Sequence, residues 1–250
     1  MIDLGIFAKR LGFAGVALLS AVGLTGCFDL EQRVGLHSDG SGSYAVVVTA
    51  DGVVGEGLAK SKGDSDIDLG DERAVKRVTR KGDKTVQTSE IGFKDVSELK
   101  LGDETIALHV KGRKDDGETE VNFHRSFRVD HARQERDKDK DKDEAMGREV
   151  LQSMFGGHTY KFAVWLPGEI ERVAPIRVAG RTVRPMVWND RYGHTLVWQM
   201  ALPDMFMADR LDFDVDFAAK GNFHDSQSRP GEHHMHRHRH HDDDDDDNDD

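Results

Sequence analysis

The chain has 250 residues, a formal net charge of −12, a single cysteine, and 37% hydrophobic against 33% charged residues. Eight of the negative charges sit in the last nine residues, Asp242–Asp250 (DDDDDDNDD), so the remainder is near −4. The acidic balance, with no basic stripe interleaved with aromatics, argues against a nucleic-acid partner, and one cysteine excludes a disulfide framework.

The N-terminus reads as an export signal. Lys9-Arg10 precede a run of 14 apolar and small residues, Leu11–Leu24, which is the build of a charged head followed by a short hydrophobic stretch. The run falls short of the ~20 residues that cross a bilayer as a helix. Leu24-Thr25-Gly26-Cys27 resembles the bacterial lipobox, where a peptidase cuts ahead of a cysteine whose sulfur carries a diacylglycerol. The expectation is a signal peptide over 1–26 and a mature chain starting at lipidated Cys27, its membrane anchor. Two or three acyl chains, as this resemblance implies, give stable anchoring where one gives marginal binding. Phe28 in place of the Asp that retains lipoproteins in the inner membrane implies an outer-membrane protein facing the periplasm, if the source is Gram-negative.

The mature chain reads as strands. Leu30–Leu36 and Tyr44–Thr49 flank Ser38-Asp39-Gly40-Ser41-Gly42, a turn composition that joins them into a hairpin. Residues 51–72 are rich in Gly and Asp and suit a short helix or a loop. Within them Asp64–Glu72 (DSDIDLGDE) fails as a calcium loop, because Gly70 is one place late and Val75 occupies the position of the bidentate acid. Strands follow over Ala74–Arg80, Lys84–Phe93, Glu104–Lys111 and Glu118–Phe127, separated by Gly- and Asp-bearing turns. The alternating charges of 130–143 suit a solvated linker. Asp143 can cap one amphipathic helix through Phe155, with Met146, Val150, Leu151 and Met154 on its apolar side, stopped by Gly156-Gly157. Thr159–Leu166, Thr195–Leu202 and Arg210–Phe217 are strands again. In the last of these Leu211, Phe213, Val215 and Phe217 alternate with Asp212, Asp214 and Asp216, the pattern of one buried and one wet face. The three carboxylates read as that wet face rather than as a cation site. The fold class expected is α+β, mainly antiparallel sheet, with a domain over 27–220 and a disordered His/Asp-rich tail over 221–250.

In this order the elements resemble the LppM-like (DUF3153) lipoproteins. The residues that carry the resemblance are the lipobox, the early Asp39-Gly40-Ser41-Gly42 hairpin, Tyr160–Ile170 with its Pro167-Gly168, and the later Thr195-Leu196-Val197-Trp198. The insertion Ala174–Gly193 stretches the pattern, and the tail has no counterpart in it. The resemblance implies envelope association and a lipid or glycolipid ligand, and it carries over no catalytic residue.

No nucleophile elbow, phosphate loop, dinucleotide fingerprint or His-Glu-x-x-His motif occurs, and lipidation of Cys27 removes the thiol. A non-enzymatic binder is therefore expected. Trp165, Trp188 and Trp198 are the candidate ligand-stacking residues, with core packing as the plain alternative. The strongest chemical signal is terminal: residues 233–241 (HHMHRHRHH) hold six histidines, His233, His234, His236, His238, His240 and His241. Neutral imidazoles in a flexible tract bind Zn(II) or Ni(II), and compositional drift yields the same letters. Two function classes follow: a lipoprotein binding a lipid, glycolipid or protein partner through its sheet domain, or one that buffers transition metals through its tail. No cofactor is required by either.

Overall fold

The alternation written along the predicted strands becomes two stacked β-sheets in the computed structural model, which describes residues 28–60, 69, 73–99, 101, 104–128 and 149–226. In chain order the strands are β1 (Phe28–Leu36), β2 (Gly42–Ala50), β3 (Val75–Lys81), β4 (Lys84–Phe93), β5 (Thr105–Arg113), β6 (Thr119–Arg128), β7 (Thr159–Pro167), β8 (Glu169–Val173), β9 (Ile176–Val178), β10 (Arg181–Val183), β11 (Met186–Asn189), β12 (Gly193–Ala201) and β13 (Arg210–Ala219). One sheet has seven strands in the order β11-β12-β7-β1-β2-β4-β3, the second has four in the order β5-β6-β13-β8, and β9 and β10 form a separate hairpin. Mainly antiparallel pairing holds, with one exception. β1 and β7 run parallel, Leu30 opposite Tyr160 and Gly35 opposite Trp165. Hairpin logic governs only consecutive strands. Between β2 and β7 the chain leaves to build β3 to β6 and returns from the other end.

The inner faces meet in an aromatic core. Phe162, Val164, Leu166, Leu196, Trp198, Phe213, Val215 and Phe217 are each 0% exposed. The Phe162 ring lies 4.4 Å from Phe213, 5.7 Å from Trp198 and 6.4 Å from Phe123, which joins β7 and β12 to β6 and β13. Arg125 on β6 is buried in the middle of this core, its guanidinium 4.3 Å from the Phe162 ring. It donates to Gln32, to Tyr160 Oη at 3.0 Å and to Glu104 Oε2 at 2.8 Å. Burial works against its charge, but Glu104 and the hydroxyls of Tyr160 and Tyr44 outweigh it and hold the guanidinium above its ordinary pKa. A buried cation is tolerated only when paired and hydrogen-bonded in this way.

The single helix expected over 143–155 is corrected in number and in face. Residues 143–148 lie outside the described residues. Of 149–155, which are helical (α2), Leu151 and Phe155 pack on the core while Val150 and Met154 stay 39% and 37% exposed. Two further helices occur, α1 (Gly52–Lys60) and α3 (Leu202–Phe206), beside a 3-10 turn at Val96–Glu98. α1 settles the helix-or-loop choice for its part of 51–72, and its Gly55 permits the approach: a Cβ there would fall 2.7 Å from the Ala50 carbonyl oxygen.

Four strands, β8 to β11, arise in 169–189, where the sequence pattern showed none. They have three to five residues each, and Pro175 and Pro185 sit between them, so too few alternations exist to read a period. Pro167-Gly168 does more than end a strand. Gly168, at φ +76, turns the chain from β7 in one sheet to β8 in the other, and a Cβ would fall 2.1 Å from the Ala218 oxygen. The domain also runs past the expected boundary at 220. Asn222 N donates to Ser38 O at 3.0 Å, Phe223 is buried against Phe217, and Ser226 N donates to Leu108 O at 3.0 Å. The buried Phe223 ring and these backbone hydrogen bonds together hold residues 221–226 on the domain.

Candidate functional site on the outer tryptophan face

Side chains alternate across a strand, so the residues between the core positions form the outer face of the seven-stranded sheet. Trp188 on β11 stands opposite Thr195 on β12, and Thr195 stands opposite Trp165 on β7. The same row continues through Gly35, Ser43 and Gly92 on β1, β2 and β4. Two indoles two strands apart, about 10 Å between backbones, thus head a lane floored by small residues. Trp188 is 50% exposed, and Tyr192 in the next turn is 75% exposed.

Trp165 is held in place. Its indole N–H donates to Asp190 Oδ2 at 3.0 Å, and Asp190 Oδ1 accepts from the backbone N–H of Tyr192 at 2.7 Å and of Gly193 at 2.8 Å. These donors, the Tyr192 N–H first, hold the Asp190 carboxyl below the usual carboxylate range. Gly193 is required where the turn passes the indole, since a Cβ would sit 2.3 Å from Leu166 O and 3.1 Å from the Trp165 ring. One carboxylate therefore fixes both the β11–β12 turn and the ring beside it. The arrangement presents a rigid aromatic surface with polar rims, suited to stacking on the apolar face of a ring.

The three tryptophans do not act together. Trp165 and Trp188 share the outer row, whereas Trp198 is 0% exposed and packs edge-on to Phe213 at 5.2 Å. Trp198 is corrected to a core residue, because its position on β12 has the opposite parity to Thr195. Cys27 and the histidines 233, 234, 236, 238, 240 and 241 lie outside the described residues. Among the described residues no three His, Cys, Asp or Glu gather as a metal site, and no helix is long and apolar enough to cross a membrane.

Two further features surround the sheets. A cavity of about 460 Å³ opens between 149–155, the β9–β10 hairpin, β12 and α3, with Gln152, His158, Arg181, Met200 and Asp204 in its wall. His158 stacks on Phe28, ring centres 6.3 Å apart and 3° from parallel, so this cavity borders the start of β1. On the outside of the four-stranded sheet the alternating aspartates are matched by cations of the chain itself. Arg172 reaches Asp214 and Asp216 at 2.6 Å each, Lys111 reaches Asp216 at 2.6 Å, and Asn122 donates to Asp216 at 2.8 Å. Burial pushes the Asp216 carboxyl up, but these three donors prevail and lower it to about 2. Asp212 pairs with Arg210 at 2.7 Å. The wet-face reading holds for Asp212, which is exposed, and partly for half-buried Asp214, but it is corrected for Asp216, which is 7% exposed beneath its ion pairs.

The sequence reading passed over a cationic edge. β3 and its turn carry Lys76, Arg77, Arg80, Lys81 and Lys84 against a single Asp83. The Lys and Arg density of 73–84 was the available signal, but only the pairing order shows that β3 is an outermost strand.

No protein family and no curated protein matches the chain. A crystal structure of a "putative protease" from Parabacteroides distasonis is similar to it at 8% identity over 76% of this chain, with a TM-score of 0.32. The chain spans 40% of that protein's length. A superposition that loose carries no argument about function.

Proposed function

We propose that the protein is a non-enzymatic, lipid-anchored envelope lipoprotein of LppM-like type that holds a glycolipid on its outer tryptophan face. The observation that carries this reading is the place of Phe28. Strand β1 begins at the residue bonded to Cys27, so a lipidated Cys27 leaves no spacer and sets the Phe28 end of the sheet against the bilayer. Trp165 stands opposite Gly35, seven residues up the strand, or about 23 Å from that end at ~3.3 Å per residue. A glycan rising from its lipid would meet the indoles at that height, while the His158 and Arg181 cavity lies at the level of the headgroups. Export to the outer membrane belongs to the same reading. Replacing Cys27 with Ser should abolish fatty-acid labelling and membrane fractionation with no change in melting temperature. Lipid extraction and mass spectrometry of the native protein should recover a glycolipid, and Trp188→Ala should lose it. Recovery of the same lipid from Trp165→Ala, Trp188→Ala protein would remove the tryptophan face from the reading.

A further inference from the structure

Strand register carries one level of the seven-stranded sheet across to its β3 edge. Phe28 on β1 stands opposite Ala50 on β2, Ala50 opposite Thr85 on β4, and Thr85 opposite Arg80 on β3. One residue further along, Lys81 faces Lys84 across the β3–β4 turn, and this is the level at which Cys27 precedes Phe28. The Gly82-Asp83 turn projects beyond it, with Gly82 supplying the positive φ, +65, that a two-residue hairpin needs. β4 and β3 are two and three strands from β1. These cations therefore stand about 10–14 Å to the side of the start of β1.

The two ends of this sheet differ in charge. At the Phe28 end Arg80, Lys81 and Lys84 are exposed. Among the described residues none of the three meets an acid, whereas Lys111, Lys114, Arg172 and Arg210 are all ion-paired. Of the acids nearby, Asp29 accepts the Thr159 N–H at 2.8 Å, which leaves Asp51 and Asp83 against the three cations. Arg77, exposed further up β3, adds a fourth. The opposite end carries Asp39, Asp95, Glu98 and Asp190 against Lys94 and Arg191. An acidic chain has thus gathered unneutralised cations at one end of one sheet.

We propose that the β3–β4 turn docks on an anionic phospholipid surface, a second contact beside the Cys27 anchor that fixes how the domain sits on the bilayer. Attraction to such a surface fades within a Debye length, about 8 Å at physiological salt, so a few cations alone hold a soluble protein weakly. The anchor keeps the turn at the surface, at a high effective concentration. Acyl chains joined to a basic patch are a recurrent pair of membrane signals. An anchor by itself is a pivot, and a second point off its axis stops the domain tilting about it. The contact rests on the lipid anchor of the proposed function and is independent of the tryptophan face.

The test uses full-length lipoprotein reconstituted into vesicles, with a thiol-reactive fluorophore on Thr79→Cys, which keeps every charge, or on Arg191→Cys at the far end of the sheet. Nitroxide-headgroup lipid should quench the Thr79→Cys label at least fivefold more in vesicles containing phosphatidylglycerol than in pure phosphatidylcholine. The Arg191→Cys label should stay unquenched in both. Quenching should vanish at 1 M NaCl, a check that needs no further variant, and in Arg80→Gln, Lys81→Gln, Lys84→Gln protein of unchanged melting temperature. Insertion into pure phosphatidylcholine, with no dye uptake by the parent chain, reports the lipidated anchor alone, so anchor and turn fail separately. Equal quenching of the Thr79→Cys label in the two vesicle types would overturn the proposal, as would quenching that survives in the triple variant. Retention on heparin through the same three cations, without quenching on phosphatidylglycerol, would also overturn it and assign the turn to a soluble polyanion.

Discussion

β3 and β11 close the same seven-stranded sheet at opposite edges, and among the described residues neither has a strand beyond it. β3 reads Val-Lys-Arg-Val-Thr-Arg-Lys and leaves six of its seven residues exposed. β11 reads Met-Val-Trp-Asn, with Met186, Val187 and Trp188 each about half exposed. Open edges invite pairing with another chain, and charge or shortness is how proteins suppress it. β3 relies on charge over seven residues, and β11 on a length of four. The difference teaches where a partner fits. An edge guarded by cations selects anions, while a short uncharged edge beside a pinned indole selects a surface that can stack.

The comparison presumes that both edges hang on one core, and the largest effect tests that. Phe162→Ala should destabilise the domain by about 3–5 kcal/mol, read by urea unfolding as a single transition. A change under 1 kcal/mol would mean the two sheets are not coupled through this ring.

Acid offers a second way in, through the ion pairs of the smaller sheet. The Asp216 carboxyl titrates at about 2 in the folded chain, against ~3.9 unfolded. A lowered folded pKa adds stability above the unfolded value that is lost as pH falls through the folded one. Arg172 and Lys111 are about half exposed, so solvent screens these pairs and their contribution is about 1–2 kcal/mol. Stability should decline from pH ~5 to ~2, and Asp216→Asn should flatten that part of the curve. An unchanged slope in the variant would assign the acid sensitivity elsewhere.

Exchanging the edge chemistries sharpens the comparison further. Arg77→Val, Arg80→Val and Lys81→Val should leave the monomer folded yet drive concentration-dependent association in sedimentation velocity, because charge is what guards that strand. Trp188→Lys should change stability by less than about 0.5 kcal/mol, as exposed substitutions do. If it unfolds the protein, β11 is structural rather than a binding edge.

The smallest effect concerns the tail. Truncation at Pro230 should leave the melting temperature unchanged, since 231–250 offers one apolar residue, Met235, to any core. The same truncation should remove micromolar Zn(II) or Ni(II) binding seen by calorimetry at pH 7.5. In the intact chain that binding should fade near pH ~5, because metal needs the neutral imidazole and unperturbed His titrates near pH ~6.5. Equal affinity in both forms would clear the histidine tract of the role.

By itself the sequence determined the strands that are long and alternating. The core positions of β7, β12 and β13 were readable because a two-residue period over nine or ten residues leaves one solution for which side is buried. The Asp39–Gly42 turn and the Pro167-Gly168 corner were readable because Pro and Gly restrict backbone geometry locally. Only the tertiary structure decided the rest. Whether a tryptophan is core or surface depends on parity and on which face of the sheet is covered, so Trp198 and Trp165 parted company. Arg125 enters the core only because Glu104, Gln32 and Tyr160, distant in sequence, converge on it. β3 became an edge through strand order, a long-range property that no local pattern encodes.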